Sequence, residues 1–257
     1  MLTGASGGIG QAIARALHAR GATLVLSGRR ADALHELAAG LGEATEVIQA
    51  DLATRDGVGE LLEPAGRVDV LVANAGLPGS GWLESFSPEE IDRAIHVNLR
   101  APLQLARALA PPMVERGSGH LVFLSSMSGK VPTAGGSVYA ATKSGLRAFA
   151  AALRDELHGT GVGVTTVFPG FIRDAGMFAE TGVKLPAGVP TRSPQQVAEA
   201  VVRGIERDRS EIDVAPIFMR TSAWLAGVSP AAVNAMARRL GSRKVAEELG
   251  ELQREKR

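Results

Sequence analysis

Tyr139 is the only tyrosine of the chain, and it stands four residues before Lys143 in the run Ser137-Val-Tyr-Ala-Ala-Thr-Lys143. A helix turns once in 3.6 residues, so an i, i+4 pair lies on one face with both side chains in reach of each other. A phenol titrates near pH ~10 in water, too high for easy proton exchange at neutral pH, and a neighbouring ammonium favours the phenolate. The pair is therefore a candidate acid/base device. Chance supplies the same spacing at many surfaces, so the reading depends on what else the chain brings to the place.

A second candidate is the run Thr3-Gly-Ala-Ser-Gly-Gly-Ile-Gly10, which opens the first predicted helix. Glycines there let backbone N–H groups approach a pyrophosphate, and the helix N-terminus adds about half a positive charge. The spacing of Gly4, Gly8 and Gly10 is not the common G-x-G-x-x-G fingerprint. Gly4-Ala-Ser-Gly-Gly8 also fits the G-x-S-x-G elbow of hydrolases, with Ser6 as nucleophile. That reading needs a later acid and then a histidine, and the last histidine is His158.

The elements that must position these residues follow from pattern. Candidate strands are Ala22–Ser27, Glu46–Ala50, Val68–Ala73, His120–Ser125, Val162–Phe168 and Glu211–Ile217. Helical stretches run near Ile9–Arg20, Ala31–Ala39, Asp56–Leu62, Pro88–Leu109, Val138–His158 and Pro194–Arg207. Near-continuous apolar strands alternating with helices predict an α/β fold, a doubly wound parallel sheet covered on both faces. Ligands of such sheets bind beyond the carboxyl ends of the strands, where strand order reverses. Only Met1 and Leu2 precede Thr3, whereas a strand of ~5–6 residues is expected there. The expectation is a truncated first strand in a protein whose natural chain starts upstream. Gly170–Arg192, rich in Gly and Pro, reads as a long loop of the kind that covers sites. The predicted division is a catalytic domain over 1–217 and a helical tail over 218–257, whose last helix carries Val245, Leu249 and Leu252 on one stripe.

Composition narrows the classes. Apolar residues are 45% and charged residues 21%, an ordinary globular balance. A formal net charge of +1 gives no reason to expect nucleic acid as a partner. Without cysteine there is no disulfide, thiolate nucleophile or Cys-ligated metal, which suits the cytoplasm. No apolar run approaches the ~20 residues of a membrane span, and the five histidines show no metal-ligand spacing.

Six features occur in order: Thr3-Gly-x-x-x-Gly-Ile-Gly10, Asn74-Ala-Gly76, Asn98, Ser126, Tyr139-x-x-x-Lys143 and Pro169-Gly170. With them, residues 1–217 resemble the short-chain dehydrogenase/reductase family. The resemblance implies a single Rossmann-like domain of about seven parallel strands and hydride transfer between a nicotinamide and a ketone or secondary alcohol. It makes Tyr139 the general acid/base, and Lys143 the group that lowers the tyrosine pKa and holds the nicotinamide ribose. It makes Asn98 part of a proton relay and Ser126 the hydroxyl that polarises the carbonyl. Ser125 and Ser128 compete on position, and the thirteen-residue step to Tyr139 favours Ser126.

The resemblance also assigns cofactor contacts to Thr3, Gly4, Ser6, Gly8, Ile9, Gly10, Asp51, Leu52, Asn74, Gly76, Tyr139, Lys143, Pro169, Gly170 and Ile172. Asp174 stands where relatives often have threonine, which leaves one carboxamide hydrogen bond open. At the end of the second strand Gly28 cannot bond a ribose 2′-hydroxyl as an acid would, and Arg29 is placed to fork a 2′-phosphate. NADP(H) is thus favoured over NAD(H), although Gly7 holds a position that is often basic in NADP-dependent relatives. Trp82, Met127, Phe171, Met177, Phe178 and Leu185 are candidate pocket residues, mostly apolar, which suits an apolar ketone or alcohol. The alternative is an NADP(H)-binding sensor or scaffold without turnover. The long helices near Pro88–Leu109 and Val138–His158 resemble those with which relatives form dimers and tetramers, so the resemblance implies a homodimer or homotetramer.

Overall fold

The apolar runs become the strands of one sheet. The computed structural model describes residues 1–179, 190–239, 247 and 249–253. Leu185 and Val245 lie outside the described residues, as does the side chain of Phe178. The strands are β1 (Leu2–Thr3), β2 (Leu24–Gly28), β3 (Thr45–Gln49), β4 (Val70–Ala73), β5 (Gly119–Leu124), β6 (Val162–Pro169) and β7 (Glu211–Val214). They form a seven-stranded, all-parallel sheet in the order β3-β2-β1-β4-β5-β6-β7. The order reverses between β1 and β4, which places the ligand crevice there. Although β1 has two residues, it is central: Leu2 pairs with both Leu26 and Val72 and is fully buried.

Helices α1 (Gly8–His18), α2 (Ala31–Leu41), α3 (Gly57–Leu62), α4 (Pro88–Ile95), α5 (Ala101–Glu115), α6 (Ser137–Glu156) and α8 (Pro194–Arg207) cover the faces, with α7 (Gly176–Ala179) a single turn. Side chains alternate across the pleat, so successive strand residues feed different cores. Leu71, Leu121 and Phe123 join Leu105, Met113 and Leu146 on one face; Val72, Val122 and Leu124 join Ile13, Val197 and Val201 on the other. The start of α8 is set by its polar chemistry. Ser193 accepts from the Gln196 amide and Gln196 closes a capping box.

Two predicted elements differ. Strand β7 ends at Val214 rather than Ile217, because Pro216 turns the chain into α9 (Ile217–Val228). The helix predicted over Pro88–Leu109 is interrupted by a π turn at His96–Arg100 and then runs on to Glu115. After α9 the chain continues as α10 (Pro230–Arg239). No described helix is long and apolar enough to cross a membrane.

At the amino ends of the strands, away from the crevice, His120 is buried with Nε2 2.8 Å from Thr165 Oγ1. Burial pushes its pKa down to about 4, more than Asp208 raises it, and Arg154 adds to the lowering. Below pH ~6.5 the unfolded chain takes up this proton and the folded chain does not, so stability falls as pH drops from 6.5 towards 4. The expected loss is about 3 kcal/mol at most. Urea unfolding at both ends of that window should show a smaller loss for His120→Gln than for the parent. Equal losses would remove His120 as the acid-sensitive group.

Candidate active site

The carboxyl ends of β4 and β5 and the first turns of α6 bring the candidate residues together. Ser126 follows β5 in extended conformation, and its hydroxyl accepts from the Ser128 amide at 3.1 Å. Ser126 also lies near enough to the Tyr139 phenol to draw its pKa down. Ser125 faces elsewhere: its Oγ donates to the Lys143 carbonyl at 2.9 Å inside the protein. A Cβ on Gly129 would stand 2.8 Å from both that carbonyl and Ser125 Oγ, so the turn has to pass as glycine. Geometry thus separates two serines that adjoin in sequence.

Tyr139 and Lys143 share the inner face of α6, with Lys143 Nζ 5.7 Å from the phenol ring centroid. The ammonium donates to the Leu124 carbonyl at 2.9 Å and is buried. Burial lowers Lys143 to about 8. Tyr139 is raised to about 12 by burial, with Ser126 pulling the other way. The sequence reading has Lys143 drawing the phenol down. In the protein alone, desolvation of the phenol dominates, and what opposes it comes from Ser126 rather than from Lys143.

Asn98 is completely buried in the π turn. Its Oδ1 accepts from the Leu77 amide at 2.7 Å and its Nδ2 donates to the Leu77 carbonyl at 3.0 Å. This clamps the segment after β4 to the helix. A Cβ on Gly76 would lie 3.2 Å from Asn98 Oδ1 and 3.6 Å from Lys143 Nζ, so Asn98, Gly76 and Lys143 converge. Gly79 packs against the Tyr139 backbone in the same way. Sequence reasoning missed the π turn, yet a signal was present. Pro102, four residues after Asn98, has no N–H to give to the Asn98 carbonyl, and the α-helical ladder breaks there.

Across the switch point the glycine loop is held by Thr3 and Asn74. Thr3 Oγ1 accepts from the Asn74 and Ala75 amides at 3.1 and 3.0 Å, and Asn74 Nδ2 donates to the carbonyls of Thr3 and Gly4. Gly4 has φ +64°, a conformation that side chains disfavour, and a Cβ on Gly10 would collide with the Gly4 carbonyl. The amides at the start of α1 are thereby presented beyond the sheet, a cradle suited to a diphosphate. Ser6 Oγ lies 3.1 Å from where a Gly28 side chain would begin. Arg30, which the sequence reading passed over, donates from Nη2 to the Ser6 carbonyl at 2.6 Å, and Arg29 beside it is exposed.

Asp51 accepts from the Ala53 amide through Oδ1, and Leu52 is buried beside it. Beyond Pro169 and Gly170, Ile172 forms a bridge with Arg192 through the flanking Phe171 carbonyl and Arg173 amide, a pattern that leaves Ile172's own peptide groups to the other side. Asp174 has φ +67° and an exposed carboxylate 3.3 Å from Arg173 Nε. The segment then lies on the glycine loop: Ala175 touches Gly8, Gly176 touches Ile9, and Met177 Cε reaches the Gly76 neighbourhood. Met127 packs with Phe168 and Ala215 in a small core instead of lining an open site. From the tail, Gly250 seats on Gly81, and Gln253 Nε2 donates to the Met177 carbonyl at 3.2 Å. Helix α6 runs from this end of the sheet back to the other, so His158 is remote from Ser6 and the hydrolase reading fails.

Residues 1–185 match the family model described as short chain dehydrogenase. The chain belongs to the short-chain dehydrogenase family. This is a family of oxidoreductases acting on CH–OH groups. A ketoacyl reductase, HetN, of Nostoc sp. strain PCC 7120 is 38% identical over 83% of this chain and 77% of its own length. A structure of serine dehydrogenase in closed form with NADP+ has a TM-score of 0.76 at 32% identity, covering 85% of this chain and 96% of that one. A short-chain dehydrogenase of Sphingobium yanoikuyae in complex with NADPH gives 0.78 at 32% identity, with 88% and 92% covered.

Proposed function

We propose that this short-chain dehydrogenase transfers hydride between NADP(H) and an apolar ketone or secondary alcohol, with Asn98, Ser126, Tyr139 and Lys143 as its catalytic set. The observation that carries the reading is the Tyr139 phenol on the same face of α6 as the buried Lys143 ammonium, 5.7 Å from its ring centroid, with Ser126 near enough to oppose the effect of burial on the phenol. Together the two hydroxyls form a pair of donors for a substrate oxygen on which negative charge develops. Tyr139 gives that oxygen its proton during reduction and takes it back in oxidation, and Lys143 stabilises the phenolate left behind. Asn98 positions the relay by holding Leu77 through both of its amide groups.

NADP(H), when bound, supplies or accepts the hydride. The glycine cradle and the cations at the end of β2 fit that group. Thr3, Gly4, Ser6, Gly8, Ile9 and Gly10 would hold the diphosphate, Asp51 and Leu52 the adenine side, and Asn74 and Gly76 the adenosine ribose. Tyr139 and Lys143 would take the nicotinamide ribose, and Pro169, Gly170 and Ile172 the nicotinamide. Arg29 would take the 2′-phosphate; Arg30 is already tethered to Ser6. A charge-assisted fork of this kind is worth about 2 kcal/mol, or roughly thirtyfold in affinity. Arg29→Gln is accordingly expected to raise KM for NADPH by about that factor while leaving KM for NADH unchanged. Equal KM changes for both nucleotides would assign the arginine to the fold instead.

The enzyme assay is a panel of apolar ketones with NADPH. Tight NADPH binding with no turnover on any of them would favour the sensor. We further read the active form as a homo-oligomer and its compartment as the cytoplasm, which sedimentation and cell fractionation would test.

A further inference from the structure

Helix α9 presents two apolar faces, of which one is used. Met219, Ala223 and Ala226 turn inward, the first two against the Met127, Phe168 and Ala215 core. On the opposite side Ile217, Trp224 and Val228 recur at helical spacing and are 74%, 75% and 72% exposed. Phe218 and Leu225 flank them, and Met236 of α10 adds a further exposed apolar side chain. A single exposed leucine needs no explanation, but a clustered patch crowned by tryptophan does.

The charge around this patch has one sign. Between Asp213 and Glu247 the sequence contains no Asp or Glu, and it carries Arg220, Arg238, Arg239, Arg243 and Lys244. Arg220, Arg238 and Arg239 are exposed and form no salt bridge within the described residues. The rest of the chain mixes both signs with an acidic excess, 23 Lys and Arg against 27 Asp and Glu, so the positive excess is local.

We propose that the outer face of α9, with the arginines of α9 and α10, docks the protein peripherally on an anionic lipid surface. Trp224 and its apolar neighbours would enter the boundary between headgroups and acyl chains, and the arginines would meet lipid phosphates. A second copy of the chain fits less well. A twofold contact through this face would set its own arginines against their equivalents without a carboxylate on α9 or α10 to pair them. A lipid surface supplies both the apolar layer and the negative charge.

The test uses the full chain and sedimentation with vesicles of phosphatidylglycerol and phosphatidylcholine, against vesicles of phosphatidylcholine alone. Binding is expected to the anionic vesicles and to weaken in raised salt. Arg238→Gln combined with Arg239→Gln should weaken it about thirtyfold, and Trp224→Gln should weaken it at unchanged thermal stability. In a Trp82→Phe background, Trp224 is the sole indole and its emission should shift to the blue on binding. Absence of binding to either vesicle, or equal binding by parent and variants, would overturn the proposal. So would loss of an oligomer in Trp224→Gln with no vesicle binding by the parent, an outcome that assigns the face to a second copy.

Discussion

Replacing Tyr139 with phenylalanine is expected to lower kcat for ketone reduction by about 10²–10⁴-fold, the range that a positioned proton donor contributes. The change removes one oxygen and leaves the ring, so α6 and its packing against Gly79 persist. NADPH affinity should fall by no more than the single ribose contact of the lost hydroxyl, and loss should appear in kcat far more than in KM. The pH profile adds a second readout. The phenol stands at about 12 and Lys143 at about 8 in the protein alone, both displaced by burial. Protonating the buried amine below its pKa introduces the positive charge that favours phenolate, so the two groups titrate as a coupled pair. Turnover that survives in Tyr139→Phe would eliminate the mechanism proposed here, because no other tyrosine exists to replace it.

The second large effect is a trade between stability and activity at Lys143. Its ordinary pKa is 10.5 and burial takes it to about 8. Between pH 8 and 10.5 the unfolded chain therefore binds more protons than the folded one, and stability rises with pH across that window. Below pH 8 the folded state carries the full cost of a buried ammonium, about 3 kcal/mol. Lys143→Met keeps the length of the side chain and removes the charge. It also takes a donor from the Leu124 carbonyl, which costs about 1 kcal/mol. The expected result at pH 7 is a protein about 2 kcal/mol more stable and with little activity. Denaturant unfolding of parent and variant across the window decides it. A variant that is less stable at pH 7, or a parent whose stability does not rise between pH 8 and 10.5, would show that the ammonium is better solvated than its surroundings suggest.

Much of this site is legible in the sequence, and the parts that are not share a cause. Runs such as Leu121–Leu124 announce a strand because both faces of a parallel sheet are buried, and the glycine loop announces a turn because Gly4 needs a positive φ. The helix predicted over Val138–His158 becomes α6, which sets Tyr139 and Lys143 on one face. What pattern could not give is direction. Ser125 and Ser126 are adjacent and alike, and only the close approach of Gly129 to the Lys143 carbonyl turns Ser125 inward. Asn98 sits in a helix by periodicity, yet its burial depends on a π turn that a 3.6-residue pattern does not contain. The end of β7 was misplaced because Ile217 is as apolar as a strand residue and Pro216 marks only a turn. The contacts of Gln253 with Met177 and of Gly250 with Gly81 join segments far apart in sequence, and periodicity carries no information about them.

The contact of Ala175 with Gly8 bears on kinetics. The segment that follows β6 rests on the amides at the start of α1, while Met177 of the same segment reaches towards Lys143. One strip of chain thus roofs two neighbouring compartments. A dinucleotide bound as proposed would lie beneath this strip, and a second ligand beneath Met177 would hold the strip in place over it. The expected kinetic scheme for ketone reduction is compulsory order: nucleotide on first and off last, with the nucleotide product competitive against nucleotide and the alcohol product noncompetitive against it. Random-order product inhibition would mean that the two compartments open independently. Under compulsory order, the slowest event in turnover can be the lifting of this strip, and mutations at Ala175 would then change the rate without touching any reacting atom.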